Sequence, residues 1–139
     1  MDKKVLPNEV LLEEAGELLN EGREVTFTPL GSSMLPFICG GKDSVTLKKK
    51  PDAAVGDIVL VRLPGRYVLH RIIALEGEKV TLMGDGNLVG TENCRLPDIM
   101  GTVTAIQKGK RSVTPGKGRF WRVLKPFRRY ILAIYRRLI

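Results

Sequence analysis

From Glu24 onward the chain consists of short β-type runs separated by glycine and proline: Val25–Thr28, Ser44–Leu47, Asp57–Arg62, Tyr67–Leu75, Lys79–Met83 and Gly101–Ile106. Runs of this length, bounded by turn formers, have the spacing of a small, mostly antiparallel β domain, here placed at residues 24–107. Ahead of it, residues 1–23 read as a helical segment. Asn8 is an N-cap after Pro7, Leu11, Ala15, Leu18 and Leu19 recur at helical spacing, and Gly22 ends the pattern. These signals predict a helix over about Asn8–Glu21. Residues 108–118 read as a linker, because 107–118 holds three Gly, a Pro and several Lys. Residues 119–139 read as a basic amphipathic helix with Pro126 in its first turn. There Phe127, Tyr130, Ile131, Ile134 and Leu138 share one face and Arg129 and Arg136 lie opposite. The expected fold is mainly β (α+β), an antiparallel β domain with a helix at each end.

A chain of 139 residues has room for one ordinary domain, and 43% hydrophobic with 27% charged residues is a globular mixture. Its longest apolar run, Tyr130 to Tyr135, is far short of the about 20 residues that a membrane-spanning helix needs. Glu9, Glu13, Glu14 and Glu17 interrupt the first helical stretch, so no secretory leader is expected. The expected location is cytoplasmic or peripherally membrane-associated. Cys39 and Cys94 are the only cysteines and His70 the only histidine, which leaves a disulfide scaffold and a Cys/His zinc site without enough members. No metal and no organic cofactor is expected. Cys39 reads as a buried filler.

Charge divides the chain. Residues 1–107 carry 12 Lys/Arg against 15 Asp/Glu, whereas residues 108–139 carry 11 Lys/Arg and no acid. The basic character therefore belongs to the C-terminal segment, which suits an anionic contact. Two readings of that helix stand: it packs on the sheet, or it lies in a lipid interface as a peripheral membrane contact of residues 119–139. Nucleic acid is the weakest partner, because the spacing of Trp121 and the neighbouring aromatics suits burial better than base stacking. The sequence sets no oligomeric state.

Chemistry is carried by three short stretches. Pro29-Leu30-Gly31-Ser32-Ser33-Met34-Leu35-Pro36 is a tight turn directly after a strand, able to hold an exposed serine rigidly. His70 lies in the alternating run Tyr67–Ile73 and has an ordinary pKa near neutrality, as a general base requires. Met83-Gly84-Asp85-Gly86-Asn87 is an acidic turn whose carboxylate could orient the histidine. Each has a plain structural counterpart: a Gly/Ser/Pro turn, a half-buried strand histidine and a β-turn.

Together with Val55-Gly56-Asp57-Ile58-Val59 and Ile99-Met100-Gly101-Thr102-Val103, and in this order, the three stretches resemble the boxes of the S24/S26 serine peptidases. That superfamily contains the type I signal peptidases and the self-cleaving LexA-type repressors. The resemblance covers about residues 24–106. It implies a signal-peptidase/LexA-type β domain, with Ser33 as nucleophile and His70, followed by Arg71-Ile72, as base in place of the lysine of other branches. A bacterial signal peptidase has an oxyanion-holding serine where this chain has Gly31, so backbone N–H groups of Ser33 and Ser32 are implied instead. The histidine-type enzymes have an aspartate six residues past Asp85, where this chain has Thr91 followed by Glu92. The orienting carboxylate is therefore either Asp85 or Glu92. The implied activity is endoproteolysis of an extended peptide or precursor protein through a Ser–His pair and an acyl-enzyme.

Two alternatives remain open. One is a LexA-like regulator that cleaves itself, for which Ala15-Gly16 is the only Ala-Gly pair, although no helix-turn-helix domain fits into the first 30 residues. The other is a non-catalytic binding module that keeps the S24/S26 fold without its chemistry.

Overall fold

A computed structural model describes residues 4–5, 9–29, 31, 33–87, 90–116, 129 and 131–134. Nine strands form one sheet: β1 (Lys4–Val5), β2 (Val25–Thr28), β3 (Ser44–Lys48), β4 (Ile58–Leu63), β5 (Arg66–Glu76), β6 (Lys79–Met83), β7 (Glu92–Arg95), β8 (Ile99–Lys108) and β9 (Arg111–Val113). Their order is β1-β2-β3-β8-β4-β5-β6-β7, with β9 pairing β8. All pairings are antiparallel except β1 with β2. The expected mainly β, antiparallel architecture is what forms.

Because strand side chains alternate, β4 buries Ile58 and Leu60 on one face and Val59 and Val61 on the other. The first pair joins Ala15, Leu19, Phe27, Met34, Leu47 and Val103; the second joins Val68, Ile72, Val80, Leu82 and Cys94. The sheet thus has two cores. Each fully buried aliphatic side chain in them is worth roughly 1.5–3 kcal/mol relative to exposure.

The first core is closed by α1, which spans Glu9–Asn20 and so matches the expected helix to within a residue at each end. Within its residues 12–20, Ala15 and Leu19 are buried, while Leu12 and Leu18 pack at the margin. The second core holds the Cys94 thiol, whose pKa burial pushes up to about 11. Cys39 is half-buried rather than buried, packed beside Leu35.

Three strands at the margins, β1, β7 and β9, were not expected, and β1 puts a strand into residues 1–23, which read as helical. Part of the 108–118 stretch is not a linker: β8 continues to Lys108, and Arg111–Val113 returns along it as β9. Gly109 makes this hairpin possible by taking φ 61, a left-handed conformation that side chains resist.

Residues 131–134 are helical, in line with the expected C-terminal helix, and Leu132 is fully buried beside Leu35. Leu132 was not assigned to the apolar face. Of the residues that were, Ile131 is half-buried, Ile134 is 60% exposed, and Phe127, Tyr130 and Leu138 lie outside the described residues.

Candidate active site

Ser33 follows β2 in a loop whose ends are pinned. The Gly41 N–H donates to the Pro29 carbonyl at 2.7 Å, and Asp43 binds the Cys39 N–H at 2.8 Å. Within the loop Met34 is buried in the first core and Leu35 in a separate small cluster with Leu132, while Ser33 stays partly accessible. The Leu35–Pro36 peptide bond is cis.

A second turn, residues 84–87, meets the first. The Gly86 N–H donates to the Ser33 carbonyl at 2.7 Å, and the Asp85 N–H points at the Met34 sulfur at 3.4 Å. The register Arg71↔Met83 between β5 and β6 places this turn beside His70. His70 is 7% exposed, and its Nδ1 lies 2.5 Å from Glu92 Oε1.

Gly84 fills the space between the two candidate catalytic residues. A Cβ there would collide with the Ser33 carbonyl oxygen and stand 3.0 Å from His70 Nε2. Ser33 and His70 border one cavity of about 350 Å³, lined also by Phe27, Met34, Ile38, Leu60 and Tyr67 and by Leu12 of α1. Replacing Gly84 with Ala is expected to cost about 1–3 kcal/mol in urea unfolding, because a main-chain carbonyl cannot yield the required space. The same substitution should slow any chemistry at Ser33 at least tenfold, read as acylation rate, since it displaces Ser33 and His70 together.

The two carboxylates have different tasks. On the β sheet His70 and Ile72 share a face, Ile72 pairs with Leu82, and Leu82 pairs with Glu92, which brings Glu92 to the imidazole across two strands. A carboxylate at Nδ1 holds a proton there and leaves the Nε2 lone pair available as a base. Of the two expected orienting groups, Glu92 is the one on the ring.

Asp85 instead clamps Arg71, whose Nε and Nη2 donate to it at 2.7–3.1 Å. The Arg71 side chain, 1% exposed, also donates to the Gly56 carbonyl at 2.8 Å and the Gly116 carbonyl at 2.5 Å, and lies over the Phe37 ring at 5.0 Å. Arg71 thus ties the 84–87 turn, the turn before β4 and the chain after β9 to one guanidinium. Arg71 was not among the expected site residues. Its signal was an arginine at an inward position of a strand, next to the histidine and matched by the Asp of the acidic turn.

Ser32, expected to supply an oxyanion N–H with Ser33, lies outside the described residues. Ala15 and Gly16 lie inside α1, with Ala15 buried in the core, so cleavage between them would require that helix to unwind. No helix among the described residues is long and apolar enough to cross a membrane. Those residues also hold no group of three or more His, Cys, Asp or Glu side chains placed to bind a metal. No family model matches the chain, and no curated protein sequence matches it either.

Proposed function

We propose that this protein is a serine endopeptidase of the signal-peptidase/LexA type, cutting an extended peptide or precursor protein. The observation that carries the reading is the single cavity bordered by Ser33 and His70, with Glu92 on the far nitrogen of the ring. In the proposed reaction Ser33 Oγ attacks a peptide carbonyl while its proton passes to His70 Nε2. That proton then goes to the departing amine nitrogen as the C–N bond breaks, leaving an ester on Ser33 that water hydrolyses. Glu92 holds the imidazole in the required tautomer and offsets the charge it gains. The Ser33 N–H is the proposed oxyanion donor from the described part of the loop; such a donor is worth about 3–4 kcal/mol in related chemistry.

Acylation by a penem tests the reading, because a β-lactam ring opens onto an activated serine without needing a peptide sequence. Wild type should gain the mass of one penem, mapped to Ser33, and Ser33→Ala should gain none. A folded wild-type protein that stays unmodified in detergent would favour the non-catalytic binding module.

A separate proposal concerns residues 119–139 as a peripheral membrane contact. Leu132 is buried while Ile134, two residues on and therefore on the opposite side of a helix, is 60% exposed. Ile134 is available to lipid while Leu132 keeps the helix on the domain, so the two earlier readings of this segment are compatible. Co-sedimentation with anionic vesicles should fall severalfold in Ile134→Glu; equal recovery would sink the idea.

A further inference from the structure

The outer side of β2 is already occupied where the chain heads for the nucleophile turn. β1 lies parallel to β2 there, in the register Lys4↔Phe27 and Val5↔Thr28, and so runs in the same sense toward Ser33. Across the cavity, β5 offers a second strand edge. β4 pairs with β5 from Arg66 to Arg71, whereas β6 pairs with it from Arg71 to Glu76. The stretch Arg66–His70 therefore borders the cavity on the side that β6 does not cover, with Phe27 and Pro29 on the β2 side. A groove between two strand edges binds an extended peptide through its main chain, each edge supplying N–H and C=O groups.

We propose that β1 is an intramolecular competitor for the strand position of the substrate, and that substrate enters only when residues 4–5 leave β2. The inference rests on the hydrolase reading above and adds a form of regulation to it. β1 is two residues long, against 4 for β2 and 11 for β5, so its ladder is the easiest in the sheet to open. It nonetheless lowers the apparent affinity for any peptide in proportion to the fraction of molecules in which it is bound.

The test uses the full chain in two forms, wild type and the double substitution Lys4→Pro/Val5→Pro, which removes both backbone N–H groups of β1. Acetyl-Ala-Ala-Ala-aldehyde is the peptide probe, since its small side chains leave recognition to the main chain. It protects Ser33 from the penem, which has no peptide backbone to pair. The aldehyde concentration giving half-protection should fall roughly tenfold in the double variant, with the penem rate in the absence of aldehyde within twofold of wild type. Equal half-protection concentrations would overturn the inference and leave the hydrolase reading intact.

A second readout needs no variant. Saturating wild type with the aldehyde should speed hydrogen exchange at the Lys4 and Val5 amides, and unchanged or slower exchange there would also overturn it. No penem adduct on either form would remove the hydrolase reading and this inference together.

Discussion

On the proposed function, His70→Ala should be acylated at Ser33 about 10²–10⁴-fold more slowly than wild type, the usual worth of a positioned general base. Time-resolved mass spectrometry of the penem adduct measures it. Glu92→Gln also slows, by up to about 10⁴, because an amide can donate a hydrogen bond to Nδ1 and so hold the ring in the tautomer that has no lone pair at Nε2. The 2.5 Å contact between Glu92 and Nδ1 is what links the two substitutions. Their effects should therefore not add: with the imidazole gone, the carboxylate has nothing left to orient. A His70→Ala protein within a factor of three of wild type would show that another group takes the Ser33 proton.

Asp85→Ala loses about 3–5 kcal/mol in urea unfolding, the largest stability effect expected at any single position here. The loss comes from the guanidinium left behind. Arg71 is 1% exposed, and without Asp85 its charge would sit in the protein interior with, among the described residues, the Gly56 and Gly116 carbonyls and the Phe37 ring face as its partners. Arg71→Lys should fail similarly, since one ammonium cannot reproduce a planar fork that reaches a carboxylate and two carbonyls at once. Replacing both partners, as Arg71→Met/Asp85→Leu, removes the stranded charge and should be milder than either single change. Against a total stability of roughly 5–15 kcal/mol, the single substitution removes a large share. A loss below 1 kcal/mol for Asp85→Ala would show that water reaches the pair.

The elements legible in the sequence were those whose residues state their own environment. β2, β3, β4, β5, β6 and β8 alternate or run apolar between turn formers, and α1 repeats its buried positions at helical spacing. β7 reads Glu-Asn-Cys-Arg, with one buried side chain in four, and exists because β6 offers it a partner edge. β9 depends in the same way on β8. Ser33 and His70 stood out as candidates because few other residues in the chain carry a hydroxyl in such a turn or an imidazole, and the structure brings both to one cavity. The choice between Asp85 and Glu92 was not legible, since it depends on which carboxylate the Ile72–Leu82–Glu92 register carries to the ring, and registers arise from pairing rather than from composition. Leu132 escaped for a related reason: its burial is set by Leu35, about a hundred positions earlier in the chain.

The place of β8 in the sheet has a consequence for how the protein is made. On the hydrogen-bonded path, β8 alone joins the β1-β2-β3 group, which leads to Ser33, to the β4–β7 group, which carries His70 and Glu92. Both groups leave the ribosome before residues 99–108 do. Each can form its local hairpins early, but their union waits for a strand that closes loops of more than fifty residues back to β3. During synthesis Ser33 and His70 belong to separate pieces of unfinished sheet. On the proposed function, a nascent chain would hold no assembled site until nearly the whole domain has been translated.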